Sequence, residues 1–178
     1  MTIIVDGTNG LTFPDVSVQA TSATNATNIS SGTLPSARLP AGSVLQVVNG
    51  TYATQTSNGT STYADTGLAL SITPKFVTSK ILVCAVIGGV FKESNNTFLE
   101  LRILRGSTAI SNMDMYAAQT GTTSNNGVAS SSLDYLDNPS TTSSTTYKIQ
   151  FRSANNLNLC FVHTASSVSS ITLMEIAQ

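Results

Sequence analysis

From residue 42 onward the chain alternates apolar and polar side chains in short runs broken by Gly, Asn, Ser and Thr. "SVLQVVNGTYATQ" is alternating and β-branched, and "TGLALSITP" alternates until a proline stops it. "TFLELRILRG" sets Leu99, Leu101 and Ile103 against Glu100 and Arg102. "TYKIQFRS" is clearest, with Tyr147, Ile149 and Phe151 predicted inward and Lys148, Gln150 and Arg152 outward. "KILVCAVIGGVF" is apolar on both faces, and Gly88 and Gly89 offer it a bulge or bend. "TAISNMDMYA", "GVASSSLDYL", "LNLCFVHT" and "SITLMEIAQ" complete nine predicted strands, with no credible helix between them. Period 2 throughout predicts an all-β fold: an antiparallel, jelly-roll-like β-sandwich head over residues 42–178.

The pattern over residues 1–41 is different. "QATSATNATNIS" places Ala20, Ala23, Ala26 and Ile29 at every third position among Ser, Thr and Asn. Three residues turn a helix by 300°, so this stripe drifts and forms no helical face. Period 3 suits an extended, polyproline-like chain, which buries its alanines only when copies wind around one axis. The alternatives are a trimeric shaft with these four residues on the axis, or a flexible linker in which the spacing is accidental. In "GTLPSARLP", Pro35 and Pro40 hold an extended path into the head. Such a stalk over residues 18–40 spans at most about 75 Å.

Two strands ask for cover that a single sandwich does not obviously supply. Ile81, Val83, Ala85 and Ile87 suit a core, yet Leu82, Cys84 and Val86 are apolar on the opposite face. The last strand likewise carries Ile171 and Leu173 on one face and Met174 and Ile176 on the other. Burial on both sides within one sandwich explains each strand singly. Together with the period-3 segment, a homotrimer explains them jointly.

Composition narrows the partners. The 178 residues carry 10% charged side chains and a net charge of −1, whereas soluble domains average roughly 25% charged. Ser, Thr and Asn exceed a third of the chain, as turn-rich β surfaces require. No basic excess exists to neutralise phosphates, so nucleic acid is not an expected partner. The longest apolar run, residues 81–91, is too short to cross a bilayer, and "MTIIVDGTNG" has no basic leader region, so neither membrane insertion nor secretion is expected. The five Asn-X-Ser/Thr sequons are about what chance gives in so Asn-, Ser- and Thr-rich a chain, and are set aside.

"GSVLQVVNGTYATQ" followed by "TSTYADTGLALSITPKFVTSKILV" resembles a domain recurring at the ends of bacteriophage tail-fibre proteins, notably of marine phages and cyanophages. "DGTNGLTFPD" and "NISSGTLPSARLPAGSVLQ" resemble the connecting segments of the same fibres. The resemblance implies a homotrimeric virion protein assembled in the host cytoplasm. Its N-terminal segment would attach to other phage structural proteins, and its β-rich head would meet a host-surface glycan or protein. A capsid decoration or cement protein of similar build is the alternative, and a polysaccharide depolymerase a third. The chain is short for a fibre, with no long shaft.

Little in the sequence carries catalytic chemistry, and no enzyme activity or cofactor is expected. The one histidine, His163, lies at a strand end with no serine motif around it and no second metal ligand nearby. Glu100, Asp114, Asp134 and Asp137 are candidates for a hydrolytic carboxylate pair, but isolated acids at strand ends are mostly solvated or capping. Cys84 and Cys160 sit in apolar runs and read as buried free thiols, with one disulfide the alternative.

If successive connections alternate between the two ends of the sandwich, residues 55–62, 92–96, 118–127 and 153–157 share one end. Residues 73–79, 106–107, 137–144 and 164–170 share the other. The first set is expected to be distal, with Asn95, Asn96, Asn125 and Asn126 hydrogen-bonding sugar hydroxyls and Tyr116 offering a stacking face. Asn49-Gly50 would reverse this parity if it formed a hairpin turn; a continuous strand is expected there.

Overall fold

The computed structural model describes residues 4–6, 10–12, 18–19, 35–155 and 157–178. The chain divides into two compact units, residues 1–38 and 39–178. In the first, β1 (Ile4–Asp6), β2 (Gly10–Thr12) and β3 (Val18–Gln19) form a small antiparallel meander. Val5 pairs with Leu11, and Leu11 with Gln19, so the chain doubles back twice within residues 4–19. Ala20, Ala23, Ala26 and Ile29 lie outside the described residues.

The second unit is built from ten strands: β4 (Val44–Tyr52), β5 (Thr56–Asn58), β6 (Ala64–Ile72), β7 (Lys80–Lys92), β8 (Thr97–Arg105), β9 (Thr108–Ala117), β10 (Asn126–Asp137), β11 (Thr145–Asn155), β12 (Cys160–Val162) and β13 (Ser169–Ile176). Sheet I runs β4-β13-β7-β10, with β12 continuing beyond the end of β13 along the same edge of β7 and β5 paired outside β12. Sheet II runs β6-β11-β8-β9. Every pairing is antiparallel. The first strand pairs with the last, β6 with β11, β7 with β10 and β8 with β9, which is a long antiparallel ribbon rolled into two layers. That nesting is the topology of a jelly roll.

The period-2 pattern sorts the faces as expected. Leu99, Leu101, Ile103, Tyr147, Ile149 and Phe151 from sheet II meet Ile81, Val83, Ala85, Ile87, Ile171 and Leu173 from sheet I in one fully buried core. Asn49-Gly50 lies within a continuous β4, with Gly50 opposite Ile171. Gly89 adopts φ 61°, and a Cβ there would sit 2.5 Å from the Thr164 nitrogen. Just there the edge partner of β7 changes, from β13 as far as Val86 to β12 from Phe91.

That change of partner corrects one loop assignment. Strands β12 and β13 run in the same direction along one edge of β7, so the link around residues 164–168 crosses mid-sheet instead of turning at the second end. It is held there by His163 N–H donating to the Gly88 carbonyl and Thr164 Oγ1 donating to that of Gly89. The other connections keep the predicted alternation. The chain enters β4 beside its last strand, where Gly42 N–H donates to the Ala177 carbonyl. The turns at 73–79, 106–107 and 138–144 share this basal end, and those at 53–63, 93–96, 118–125 and 157–159 share the opposite one.

Candidate functional site

The outer faces of the two sheets have opposite chemistry. On sheet II, Lys148 Nζ pairs with Asp65 at 2.9 Å, and Gln150 links Asp65 to Arg102 through hydrogen bonds of 2.7 Å each. Arg102 stacks on the Tyr63 ring 3.7 Å from its centroid, and Arg152 approaches the same ring at 4.7 Å. Tyr63 and Arg152 both donate to Oε2 of Glu100, at 3.1 and 2.6 Å. On sheet I, Val47, Met174, Leu82 and Leu136 form one row across four strands, each in register with the next. Val44, Ile176 and Lys80 line up beside it, and Val86 lies further along β7. Val44, Val47 and Leu136 are 50–55% exposed. Lys80 and Asp134 are the charges on this part of the face.

A cleft of about 510 Å3 opens where the sheet II face meets the distal loops. Phe98 and Tyr116, from neighbouring strands β8 and β9, make its aromatic wall, with ring centroids 4.8 Å apart and planes tilted by 36°. The ion-paired Glu100 and Arg152 line it, with Gln119 reaching it from the loop after β9 and Asn155 from the end of β11.

The distal loops are tied to each other. Lys92, at the end of β7, is fully buried and donates to the carbonyls of Thr120 and Thr123 at 3.1 and 3.0 Å. Burial holds its ammonium pKa below the usual lysine value. Asn96 N–H donates to the Thr120 carbonyl, Asn155 Nδ2 to the Asn96 carbonyl, and Glu93 N–H to the Leu159 carbonyl. Asn96 and Asn155 adopt φ 54° and 61°, a left-handed conformation that Asn tolerates better than most residues.

The predicted loop residues divide between scaffold and surface. Tyr116 is 62% exposed and on the cleft wall. Asn95 and Asn125 are exposed at the same end. Asn126 is half-buried and spends its side-chain amide on the Ala118 carbonyl at 3.1 Å, while the Asn96 backbone joins two loops. Phe98, Glu100, Arg152, Gln119 and Asn155 were not singled out together by sequence. The outward positions of Phe98, Glu100 and Arg152 on β8 and β11 are visible in the alternation, but the adjacency of those two strands is not.

The four acids do not form a pair. Glu100 faces out with Arg152, while Asp114 caps the Tyr116 N–H and accepts from Ser131. Asp134 stands on the outer face of sheet I beside Cys84, whose thiol is pushed up to about 11 by burial and by that carboxylate. Asp137 is buried near the base, held by Arg105 at 2.9 Å and by the Tyr147 hydroxyl at 2.7 Å. Cys84 is half-buried and Cys160 buried, and both are free thiols.

His163 is a satisfied core residue. Its Nε2 lies 3.1 Å from the Thr66 carbonyl, which only accepts, so Nε2 carries the proton. Nδ1 then accepts from the Ser169 hydroxyl at 2.7 Å, and that oxygen accepts from Gly88 N–H. Burial lowers the imidazole pKa more than the Thr66 bond raises it. The ring packs edge-on to Tyr52, whose own ring occupies the space over Gly67. Among the described residues no three metal-ligating side chains gather, and no helix is long and apolar enough to cross a membrane.

Fold and surfaces together define an all-β jelly-roll domain with one ion-paired face and one apolar face. No family model and no curated protein matches the sequence. The solved structures to which it is similar in part include the VP2 subviral particle of infectious bursal disease virus and the Gt strain of the same virus. Each match covers 74% of this chain at 12% identity, with TM-scores of 0.42 and 0.35. The matches cover 32% and 39% of those chains, about a third of their length.

Proposed function

We propose that this chain is a structural component of a phage virion, a short trimeric fibre whose jelly-roll head presents its distal loops to the host surface. The observation that carries the reading is the contrast between the two outer faces. A row of Val47, Met174, Leu82 and Leu136, half exposed at its two ends and partly buried between them, is a surface that copies of the same chain would cover. The network of Asp65, Lys148, Arg102, Glu100 and Arg152 is suited to water. The sequence resemblance to tail-fibre ends supports the same reading, as does the entry of the chain at the end opposite the loops. The proposed role is binding, not hydrolysis, because the four acids occupy four separate settings.

Light scattering of the purified chain at micromolar concentration tests the assembly, and three chains are expected. A map of the intact particle should place the protein on the tail with its distal loops outward. A monomer that covers the capsid shell through its sheet I face would replace this reading with that of a decoration protein.

A further inference from the structure

The cleft walled by Phe98 and Tyr116 and lined by Glu100 and Arg152 has features that the proposed adhesive role does not by itself specify. Its polar floor is fixed before anything binds. Glu100 Oε2 takes Arg152 Nε and the Tyr63 hydroxyl, and Arg152 Nη2 is paired with the same oxygen. Arg152 Nη1 donates to the Ser61 carbonyl at 3.3 Å. All three guanidinium nitrogens are therefore engaged, and the Arg152 charge is met by Glu100, so the cleft lining offers no uncompensated cation to a carboxylate or phosphate. The two charges lining the cleft cancel. Among the hydrogen bonds of the described residues none uses Glu100 Oε1, so that oxygen stays an acceptor for hydroxyl donors. Asn155 spends its Nδ2 on the Asn96 carbonyl, which leaves its Oδ1 as a second acceptor. Gln119 supplies an amide that both donates and accepts.

An aromatic ring that is 62% exposed beside two acceptors and an amide matches one ligand chemistry. A pyranose has an apolar C–H face that lies against an aromatic ring and an equatorial rim of hydroxyls that donate and accept. The cleft's 510 Å3 lies within the range of small-ligand sites and admits one or two such rings. We propose that this cleft is a subsite for an uncharged pyranose of a surface glycan, stacked on Tyr116 with its hydroxyls donating to Glu100 Oε1 and Asn155 Oδ1. The proposal rests on the reading of the distal end as the outward one. It narrows that reading to a ligand class, neutral as opposed to anionic sugars, and to residues on β8, β9 and β11 beyond the loop asparagines.

The test is saturation-transfer NMR on the full chain with six probes. Four are uncharged: methyl galactoside, methyl mannoside, methyl glucoside and N-acetylglucosamine. Two are anionic: glucuronate and N-acetylneuraminate. At least one uncharged probe should bind with a millimolar Kd, and the anionic probes at least tenfold more weakly. Tyr116→Ala removes an exposed ring without touching the core and should weaken binding at least tenfold. Glu100→Gln should weaken it as well, and Ser107→Ala at the basal turn should leave it unchanged. Binding of the anionic sugars alone overturns the ligand class. Binding that survives Tyr116→Ala overturns the location, and no transfer to any probe overturns the subsite. Oligomeric mass and position on the particle do not depend on the cleft, so a trimeric fibre that binds no sugar refutes the subsite alone. A sugar-binding monomer on the shell refutes the fibre reading alone.

Discussion

Leu136→Glu tests the sheet I face most directly. Leu136 is 50% exposed and sits in the apolar row opposite Leu82. Fully burying a leucine side chain contributes about 1.5–3 kcal/mol, so covering the exposed half contributes roughly 1 kcal/mol per copy. In a three-fold assembly the change is made three times, and the apolar loss alone comes to roughly 3 kcal/mol. That is about a hundredfold in the trimer association constant and, because three monomers combine, about tenfold in the midpoint concentration. Desolvating three carboxylates adds at least as much again. Within the monomer the substituted side chain already reaches water, so the fold should lose less than about 1 kcal/mol and melt within a few degrees of the parent. Ala69→Glu, on the opposite face beside Lys148, is the control and should leave the assembly alone. Light scattering across a dilution series, with circular-dichroism melts of each variant, gives both quantities. A variant that still weighs three chains at the parent's midpoint refutes the assignment of this face, and a parent that is monomeric throughout refutes the trimer.

Gly67→Ala should destabilise the head by about 2–5 kcal/mol, since Gly67 has φ 96° and a Cβ would fall 2.3 Å from the Tyr52 ring; a melt unchanged from the parent would contradict that packing. Acid should weaken the head in two stages. The native imidazole of His163 resists the proton that the unfolded chain takes up near pH 6.5, so stability is flat above that pH and falls below it. A second decline follows below the ordinary carboxylate pKa of 4.5 at Glu175. Burial pushes this group up, but the Gln46 amide and the N–H groups of Lys75 and Phe76 that donate to it outweigh that. Urea midpoints at pH 8, 6, 5 and 4 measure both, and a rise in stability from pH 7 to 5.5 would refute the neutral buried imidazole. Ala20, Ala23 and Ala26 all changed to Asp should abolish incorporation into particles if the period-3 segment lines a three-fold axis; normal incorporation would make it a tether.

Nine of the ten head strands are legible in the sequence as alternating or continuously apolar runs set between Gly, Asn, Ser and Thr turns. The tenth, β5, is three polar residues, Thr-Ser-Asn, and its pairing is not visible in any alternation. It is held by what Asn58 does across the fold, donating to the Phe151 carbonyl at 3.0 Å and to that of Thr62 at 2.9 Å. The meander of β1 to β3 escaped for a similar reason, being strands of two or three residues around "DGTNG". The link from β12 to β13 was placed at the wrong end because alternation assumes that each strand reverses the last. Gly89 breaks that rule by letting one long strand take two partners on a single edge. The cleft was half legible: Tyr116 and the outward Glu100 and Arg152 can be read from their strands, but their meeting depends on β8 lying between β9 and β11.

The pairing of β4 with β13 also fixes when the head can close. Gln46 and Glu175 are hydrogen-bonded at 2.6 Å although 129 residues separate them, and the central strand β7 has β13 as its neighbour along half its length. During synthesis β7 therefore leaves the ribosome with one flank of its hydrogen bonds open until Ile171, Leu173 and Glu175 have been made. Contacts of such long range form slowly, since the loop entropy is lost before the contacts repay it. In that interval the apolar run 81–91 is the most aggregation-prone stretch of the nascent chain. A ribosome stalled before residue 170 should hold a chain that is protease-sensitive throughout the head, and protection should appear in a single step once β13 is free of the exit tunnel.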